Sequence, residues 1–443
     1  MKLLQRVAAA MALALAVAAC SDPSAGQPAE STGSTTGAAP AAWPSPAARL
    51  DGVTLTIWAA QNSNTMPKAV TDAFTQATGA AVEVVTIPDP YEQGVQTKVA
   101  TGDKPDLAFW QPTASMLTAL NARANLQPLD GAPWVASLSP ELRDITGLLD
   151  RTRYAALITS PAVEGVYYNK EVFAANGVKE PPKTFDEMVE VARTLKGKGV
   201  TPFFEMAADK WATQWWVQVQ LADAARDGLW ERVNTGKETF EDKTILDAIK
   251  KYKALIDEGL FNSDIKTAKF EDQGAALLSG KAAMVVQVNS FFGQLQAKAD
   301  TAELDEKIGF FPISPSGNVG TFIPDQSNAL VAFRTGDARR EAAARQLLAY
   351  WMGPGYAGFV ADRKTVSLRA DVPTPQGVPK ALLDVHASLG QAVGSMQALA
   401  VANPDLYLNL SDMITGSLTP EQVAAATQKQ FAQLAKAAGA TGF

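Results

Sequence analysis

VTLTIWAAQNSNTMPKAVTDAFTQATGAAVEVVTIPDPYEQGVQTKVATGDKPDLAFW, residues 53–110, is the stretch in which strand and helix patterns alternate most clearly. Apolar and polar residues alternate in Val53–Trp58, and Val82–Ile87 and Leu107–Trp110 are further short apolar runs, so three strands are predicted. Two helices are predicted between them; the first begins near Pro67 and both end at a glycine. This order predicts an α/β protein with parallel strands covered by helices, and such sheets bind ligands beyond the carboxyl ends of their strands.

The second half of the chain continues with clear helix signals. Thr184 and Glu187 have the spacing of a capping box and precede an apolar helical face. A further helix is predicted over Thr244–Glu258, and Thr419 begins another. The body, residues 50–443, is too long for one compact core and suits two lobes.

The N-terminal segment has the pattern of an export signal with a lipid attachment site. A basic start and an apolar run from Val7 to Ala19 precede Cys20, the only cysteine. The small residues before Cys20 resemble the lipobox of bacterial lipoproteins, so a signal peptide is predicted over 1–19, with a lipid on the Cys20 thiol. Residues 20–49 are mostly small or polar and are predicted to be a flexible tether. An ordinary signal peptide with an accidental cysteine is the alternative.

Composition argues against several classes of function. Of the 443 residues, 47% are hydrophobic and 19% charged, which is ordinary for a globular protein. The formal net charge is −7, and nucleic-acid binding needs a basic face, so no nucleic-acid partner is expected. One histidine (His386) and one cysteine leave few ligands for zinc, and no metal or cofactor is predicted. No apolar run after the signal approaches membrane-spanning length.

Four segments carry a resemblance to a known family. In this order and spacing they resemble the extracellular solute-binding proteins of ABC sugar importers, the group that includes maltose-binding protein. The block that begins Tyr-Tyr-Asn-Lys at Tyr167 is the most specific part. The segments are YEQGVQTKVATGDKPDLAFW (91–110), EGVYYNKEVFAANGVKEPPKTFDEMVEVARTLKGKGVTP (164–202), GKAAMVVQVNSFF (280–292), and 307–369 with GFFPIS, NALVAF and KTVSLR.

The resemblance implies an architecture. It implies a two-lobed, periplasmic-binding-protein-like α/β fold of type II, with a hinge that the chain crosses more than once and a central cleft. Lobe 1 would comprise residues 50–163 and 313–372, and lobe 2 residues 164–312 and 373–443.

The resemblance also implies a function. A mono- or oligosaccharide would bind in the cleft, close the lobes about the hinge, and pass to the permease subunits of an ABC importer without catalysis. Hinge strands would pass near Ala162–Gly165 and Phe310–Pro312. The protein would be a monomer on the extracellular face of the cell membrane, held there by its lipid.

Aromatic residues are the first candidates for ligand contact, because a pyranose ring has flat C–H faces that stack on aromatic rings. Trp110 closes a predicted strand at the ligand side of the sheet. Trp211 and Phe291 match positions where the family presents stacking aromatics. For each of them, a place in the hydrophobic core is the alternative.

Polar candidates follow predicted strand ends or lie near the predicted hinge. The resemblance implies a ligand carboxylate at Glu164, where the sugar-binding family also places one. The full polar set is Gln61, Asn62, Gln111, Glu164, Asp209, Asn289, Asp325, Asn403 and Tyr407.

Other functions stay open from the sequence. A polyamine, glycerol phosphate, iron or an anion of another kind than glycerol phosphate could be the solute. A phosphate would favour basic residues, and the candidate loops carry few beyond Lys210. A surface glycosidase is the alternative from another class, since two of the many acids could face each other. No nucleophile elbow, zinc-protease motif or Walker loop is present. Gly353–Gly358 matches G-x-G-x-x-G by letter, but it follows a helix and contains Pro354, so it is predicted to be a helix stop.

Overall fold

The computed structural model describes residues 42–60, 67–88, 90–138, 140–143, 147–325 and 328–443. Within these residues, the strands form two main sheets and a two-stranded ribbon. The strands are β1 Thr54–Ala60, β2 Ala81–Ile87, β3 Leu107–Phe109, β4 Leu148–Leu149, β5 Thr152–Arg153, β6 Ala155–Leu157, β7 Ala162–Asn169, β8 Thr201–Phe203, β9 Ala282–Gln287, β10 Ile308–Phe311, β11 Thr321–Ile323, β12 Ala329–Ala332 and β13 Val393–Gly394.

Helices connect the strands, and several begin at the predicted caps. Thr419 and Gln422 form a reciprocal capping box at the start of the last helix, and the Thr184 side chain accepts a hydrogen bond from the N–H of Glu187. No helix in the described part of the chain combines the length and the apolar character that crossing a membrane requires. The helices are α1 Lys68–Thr78, α2 Tyr91–Ala100, α3 Ala114–Ala119, α4 Ala122–Asn125, α5 Pro140–Arg143, α6 Lys170–Ala175, α7 Phe185–Gly197, α8 Trp215–Gln218, α9 Ala222–Arg226, α10 Leu229–Asn234, α11 Lys243–Asp257, α12 Phe270–Leu278, α13 Phe292–Gln296, α14 Thr301–Lys307, α15 Ala338–Trp351, α16 Tyr356–Arg363, α17 Lys380–Ser388, α18 Met396–Leu399, α19 Leu406–Thr415 and α20 Pro420–Ala437.

The first sheet has the order β2-β1-β3-β12-β6. β1 is parallel to β2 and to β3, which confirms the three strands predicted from residues 53–110. β12 returns from much later in the chain and is antiparallel to β3 and β6. Alternate residues of β1 enter two apolar layers: Leu55 and Ile57 one layer, Trp58 and Ala60 the other.

The second sheet has the order β13-β11-β7-β9-β8, with β10 also pairing with β7. β7 is its central strand, and all but one of its eight residues are buried. Its start pairs with β11 and its end with β10, while β9 runs along its other edge. Helices α7, α11 and α20 contribute to the large core on one side of this sheet.

The chain passes between the sheets at residues 158–161, after β6, again between β11 and β12, and a third time between β12 and β13. Asn328 ties the first two passages together. Its side-chain amide donates to Thr159 Oγ1 at 3.0 Å and to the carbonyl of Ser160 at 2.8 Å. Its own carbonyl accepts the N–H of Ile158 at 2.7 Å. These bonds fix the relative position of the two passages.

The hinge strands predicted at Ala162–Gly165 and Phe310–Pro312 are placed differently. Ala162–Gly165 pairs with β11 and β9, and Phe310 pairs with β7, so both segments lie in the second sheet beyond the passages. Thr321–Ile323 also pairs in that sheet, although the predicted lobe boundary assigned residues from 313 onward to lobe 1. Strand pairing therefore favours a crossing after β11, and the division into lobes stays a prediction.

The end of the predicted tether is packed against the first sheet's core, which corrects the prediction of flexibility up to residue 49. The Trp43 ring meets Trp134 edge-on at 4.9 Å and lies 4.3 Å from the guanidinium of Arg345. The Gln346 amide donates to the carbonyl of Ala48 at 2.6 Å. One large aromatic ring supplies the buried area that the small residues around it lack. Residues 1–41, with Cys20, lie outside the described residues.

Candidate functional site

A loop of residues 205–210 follows β8 and leads to a short 3-10 turn, Trp211–Gln214. The N–H of Ala207 donates to the carbonyl of Ile265 at 3.0 Å, and the carbonyl of Ala207 accepts from Ser411 Oγ at 3.1 Å. The loop is thus attached both to the segment after α11 and to α19. It stands beyond the carboxyl end of β8, where α/β sheets place their ligands.

Lys210 gives this loop a strained end. Its φ is +65° and its ψ is −52°, and the N–H of Trp211 donates to the carbonyl of Asp209 at 2.7 Å. A three-residue turn of this hand is rare, and such strain costs about 1–3 kcal/mol. The Asp209 carboxylate accepts the N–H of Phe270 at 2.6 Å and so holds the turn. Backbone strain of this kind is concentrated at ligand-binding sites.

Trp211 is half-buried and is held by two neighbouring rings. The Phe270 ring lies 4.9 Å away at 65°, and the Trp215 ring lies 6.2 Å away at 66°. Edge-on contacts of this kind fix an indole while part of its surface stays accessible. Trp211 can therefore offer a flat apolar surface to a ligand.

Tyr407 belongs to α19, which lies against the Trp211–Gln214 turn. Its carbonyl accepts from Thr213 Oγ1 at 3.1 Å, so α19 and the Trp211–Gln214 turn are joined. Burial, then the carboxylates of Asp405 and Glu92, raise the pKa of the Tyr407 hydroxyl to about 12. Glu92 belongs to α2, beside the first sheet, whereas Tyr407 belongs to the second half of the chain. The Glu92 carboxylate therefore acts on the Tyr407 hydroxyl from beside the first sheet.

Glu205 is a buried carboxyl group at the root of the loop. One oxygen accepts the N–H of Met206 at 2.7 Å, and the other accepts the hydroxyl of Tyr252 at 3.2 Å. The backbone N–H of Glu205 donates to Asn262 Oδ1 at 2.8 Å. Burial raises the pKa of Glu205 to about 7, because desolvation disfavours the carboxylate more than these hydrogen bonds favour it.

Glu164 lies inside the protein and not on an open surface. It is fully buried on β7, where Oε2 accepts a hydrogen bond from the Thr321 hydroxyl of β11. Oε1 has no hydrogen-bond partner among the described residues. Burial raises the pKa of this carboxyl well above its ordinary value. In this conformation Glu164 offers no group to a ligand, unlike the role predicted for it.

Trp110 and Phe291 are also fully buried, unlike the stacking surfaces predicted from sequence. The Trp110 indole N–H donates to the carbonyl of Met116 at 3.0 Å, and its ring packs in the core of the first sheet. The Phe291 ring lies 5.3 Å from the Tyr167 ring and packs in a smaller apolar core beside the second sheet. The carboxyl end of a strand can turn its last side chain inward, and sequence spacing does not show which way it turns. Neither ring is accessible to a ligand in this conformation.

The remaining predicted residues are spread around the two passages and the loop. Gln111 is nearly buried just after β3, and the half-buried Asn289 accepts the N–H of Val163 at 2.8 Å. Asp325 bonds Asn328 through its backbone beside the passage. Asn403, near α19, has a buried Oδ1 without a hydrogen-bond partner among the described residues. Gln61 and Asn62 lie outside the described residues.

Comparison with known proteins identifies the family. A family model, described as bacterial extracellular solute-binding protein, matches residues 59–358, which is more than half of the chain. The chain belongs to this family. The resemblance predicted from the four sequence segments is therefore confirmed.

Solved structures show the same fold as this solute-binding protein. A chitin oligosaccharide binding protein superposes with a TM-score of 0.72 at 21% identity, over 87% of this chain and 99% of the other. RafE in complex with raffinose gives 0.72 at 18% identity, over 86% and 100%. At these identities the likeness shows the fold alone, and it confirms the two-lobed α/β class.

Curated relatives match a smaller part of this chain. The multiple sugar-binding protein of Streptococcus mutans is 25% identical over 227 residues, 50% of this chain and 53% of the relative. Lipoprotein LipO of Bacillus subtilis is 26% identical over 265 residues, 53% and 49% respectively. This chain spans about half the length of the curated relatives it matches.

Several residues of the candidate site are not indicated by the sequence. Glu92 stands in the first turn of the helix that follows β2, so its place at a carboxyl strand end was a usable signal. Phe270 and Thr213 gave no signal, because their contacts with Trp211 and Tyr407 join segments far apart in the chain. Glu205 was hidden by its position in an apolar run, Phe203–Ala207.

Proposed function

We propose that this solute-binding protein captures a carbohydrate between its two lobes and delivers it to the permease of an ABC importer. It does so without chemical turnover, while a lipid on Cys20 holds it at the extracellular face of the cell membrane. The observation that carries the proposal is the half-buried Trp211 on its strained loop, whose turn is joined to Tyr407 through the Thr213 hydroxyl.

A sugar suits this site better than an anion. The Trp211 indole supplies an apolar face, and Asp209 and Tyr407 supply the acceptor and hydroxyl groups that sugar hydroxyls need. Asp209, Asp405 and Glu92 would repel a phosphate, and the loop itself carries one base, Lys210. Structural neighbours include a chitin oligosaccharide binding protein, RafE in complex with raffinose and a sugar transporter in complex with stachyose, which supports the same class of ligand.

The membrane anchor rests on the sequence before Ala42. Cys20 follows a small-residue cleavage pattern, and residues 21–41 separate it from the point where Trp43 packs on the body. A relative named as a lipoprotein supports this arrangement. Because Trp43 packs against the core of the first sheet, the tether would hold the lobe that contains this sheet.

The experiment is a calorimetric screen of the soluble protein against mono- and oligosaccharides, followed by Trp211→Ala. Loss of a stacking ring should weaken binding by about 2–4 kcal/mol, or roughly thirty- to a thousandfold. The melting temperature of the sugar-free protein should fall only modestly, because part of the ring is already exposed. Chromatography of the sugar after incubation should show no cleavage product.

Trp43→Ala is the matched control, since Trp43 is also half-buried but packs on Trp134 away from the loop. It should lower the melting temperature by a similar amount and leave affinity unchanged. The sugar proposal is wrong if no saccharide binds, or if Trp211→Ala binds as well as the unmodified protein.

A further inference from the structure

We propose that Gln397 is a positioning residue for the ligand site. It holds Trp211 through a chain of buried side-chain amides and connects it to β11, the strand next to the hinge passage. This inference rests on the proposed function, because it gives Trp211 the role of ligand contact.

The chain of amides begins at the ligand site. The Gln214 amide donates to the carbonyl of Trp211 at 2.9 Å. The Gln397 amide then donates to Gln214 Oε1 at 2.7 Å, and the Gln218 amide donates to Gln397 Oε1 at 2.6 Å. Each amide therefore uses both its oxygen and its nitrogen, and the direction of every bond is set by the next.

The other end of this chain of amides reaches the second sheet. Gln218 Oε1 accepts the N–H of Met396 at 2.9 Å, and Ser395 Oγ donates to Gln397 Oε1 at 3.3 Å. The N–H of Ser395 donates to the carbonyl of Phe322 at 3.0 Å. Phe322 belongs to β11, which pairs with β7 and is followed directly by the passage to the first sheet.

Burial makes this arrangement specific. Gln214, Gln218 and Gln397 are 6%, 1% and 3% exposed and lie against the large apolar core. A buried amide stabilises a fold only when its polar atoms are bonded, so apolar side chains would fill this space at less risk. A network in which every amide nitrogen and oxygen has a partner instead selects one geometry, and here that geometry fixes the Trp211 carbonyl relative to β11.

Gln397→Glu tests the link by removing one donor. An ionised carboxylate at 397 still accepts from Gln218 but cannot donate to Gln214 Oε1. Protonation restores an O–H donor, and burial raises the pKa of such a carboxyl, so the donor returns at mildly acidic pH. Gln397→Leu lacks the donor at every pH.

Affinity for the tightest sugar of the screen is measured at pH 5 and pH 8. Gln397→Glu should bind about tenfold more weakly than the unmodified protein at pH 8 and regain its affinity at pH 5. Gln397→Leu should bind weakly at both. Gln220→Glu is the matched control, because the buried Gln220 amide donates to the carbonyl of Trp216 at 2.6 Å and does not belong to the chain of amides. The ratio of its affinities at the two pH values should match that of the unmodified protein.

A second measurement needs no sugar and so separates this proposal from the proposed function. Hydrogen exchange of the backbone amides of residues 209–214 should be faster in Gln397→Glu at pH 8, after correction for intrinsic exchange, and normal at pH 5. Unchanged exchange and affinity in folded Gln397→Glu at pH 8 and in Gln397→Leu overturn the positioning role. If the unmodified protein binds no sugar, the proposed function fails while the exchange result still decides whether Gln397 positions Trp211.

Discussion

Two buried carboxyl groups, Glu164 on β7 and Glu205 just after β8, have no cationic partner among the described residues. Burial raises the pKa of both. A carboxyl that is held protonated in the folded state must take up a proton on folding, because the unfolded chain ionises at its ordinary pKa. The free energy of unfolding therefore falls as pH rises through the interval between the two pKa values.

Glu205→Gln should remove this loss of stability. The pKa of Glu205 is raised from 4.5 to about 7, so the loss begins near pH 4.5 and is complete above about pH 7. Its full size is on the order of 3 kcal/mol. A glutamine can still accept from the Met206 N–H and can donate to the Tyr252 hydroxyl. The variant should thus unfold at higher denaturant concentration than the unmodified protein at pH 8, and at a similar one near pH 4.5.

The comparison needs a variant with the same change of charge on the surface. Glu83 on β2 is exposed, and Glu83→Gln should follow the pH dependence of the unmodified protein. If Glu205→Gln instead destabilises the protein equally at both pH values, the carboxylate is needed for its hydrogen bonds and the argument from burial is wrong.

At the scale of elements, the sequence predicts what is locally encoded. β1, β2 and β3 and the capped starts of α7 and α20 follow from residues next to one another in the chain. β6 and β12 complete the first sheet with three and four residues, too few for a readable alternation, and β12 comes from far along the chain. Their pairing is decided by packing between distant segments. The same reason hides the contacts of Phe270 and Thr213 at the site.

The segment from Ala42 to Ala48 gives a test at this scale. A soluble protein beginning at Arg49 loses the Trp43 contacts and the hydrogen bonds from Gln346, compared with one beginning at Ala42. Because Trp43 is only half-buried, the expected loss is on the order of 2 kcal/mol, below that for a core tryptophan. Calorimetric unfolding should show a lower melting temperature for the shorter protein. Equal melting temperatures would mean that the segment does not stabilise the body.

At the scale of the whole molecule, the proposed site depends on parts that meet only after folding. Trp211, Tyr407 and Glu92 come from three separate regions, and Glu92 lies beside the other sheet. The sequence resemblance predicted Trp211, and Tyr407 was among the polar candidates, but Trp110, Phe291 and Glu164 are buried in this conformation. Which side of a strand or helix faces the cleft depends on the packing of both sheets.

The proposed lipid anchor makes the position of the whole protein in the cell depend on Cys20. Cys20→Ser should abolish lipid attachment, because no other cysteine is present. In bacterial cells the variant should accumulate in the medium or as uncleaved precursor, whereas the unmodified protein should stay with the membrane fraction. Membrane fractionation with an antibody to the body, together with the mass of the N-terminal peptide, measures this. A Cys20→Ser protein that is trimmed after Ala19 and still sediments with membranes would contradict the proposed lipid anchor.

Closure of the two lobes is the remaining property of the whole molecule that the proposal requires. A ligand shifts a hinge equilibrium only if it contacts the two states differently, which here means touching groups from both lobes, such as Trp211 and Glu92. The passages tied by Asn328 would carry the rotation, since they join the sheets. Small-angle scattering should therefore give a smaller radius of gyration with saturating sugar than without it. Trp211→Ala at the same sugar concentration should stay at the sugar-free value until the concentration is raised in proportion to its weaker affinity. A radius that does not change at full saturation of the unmodified protein would show that the sugar binds one lobe or a form already closed.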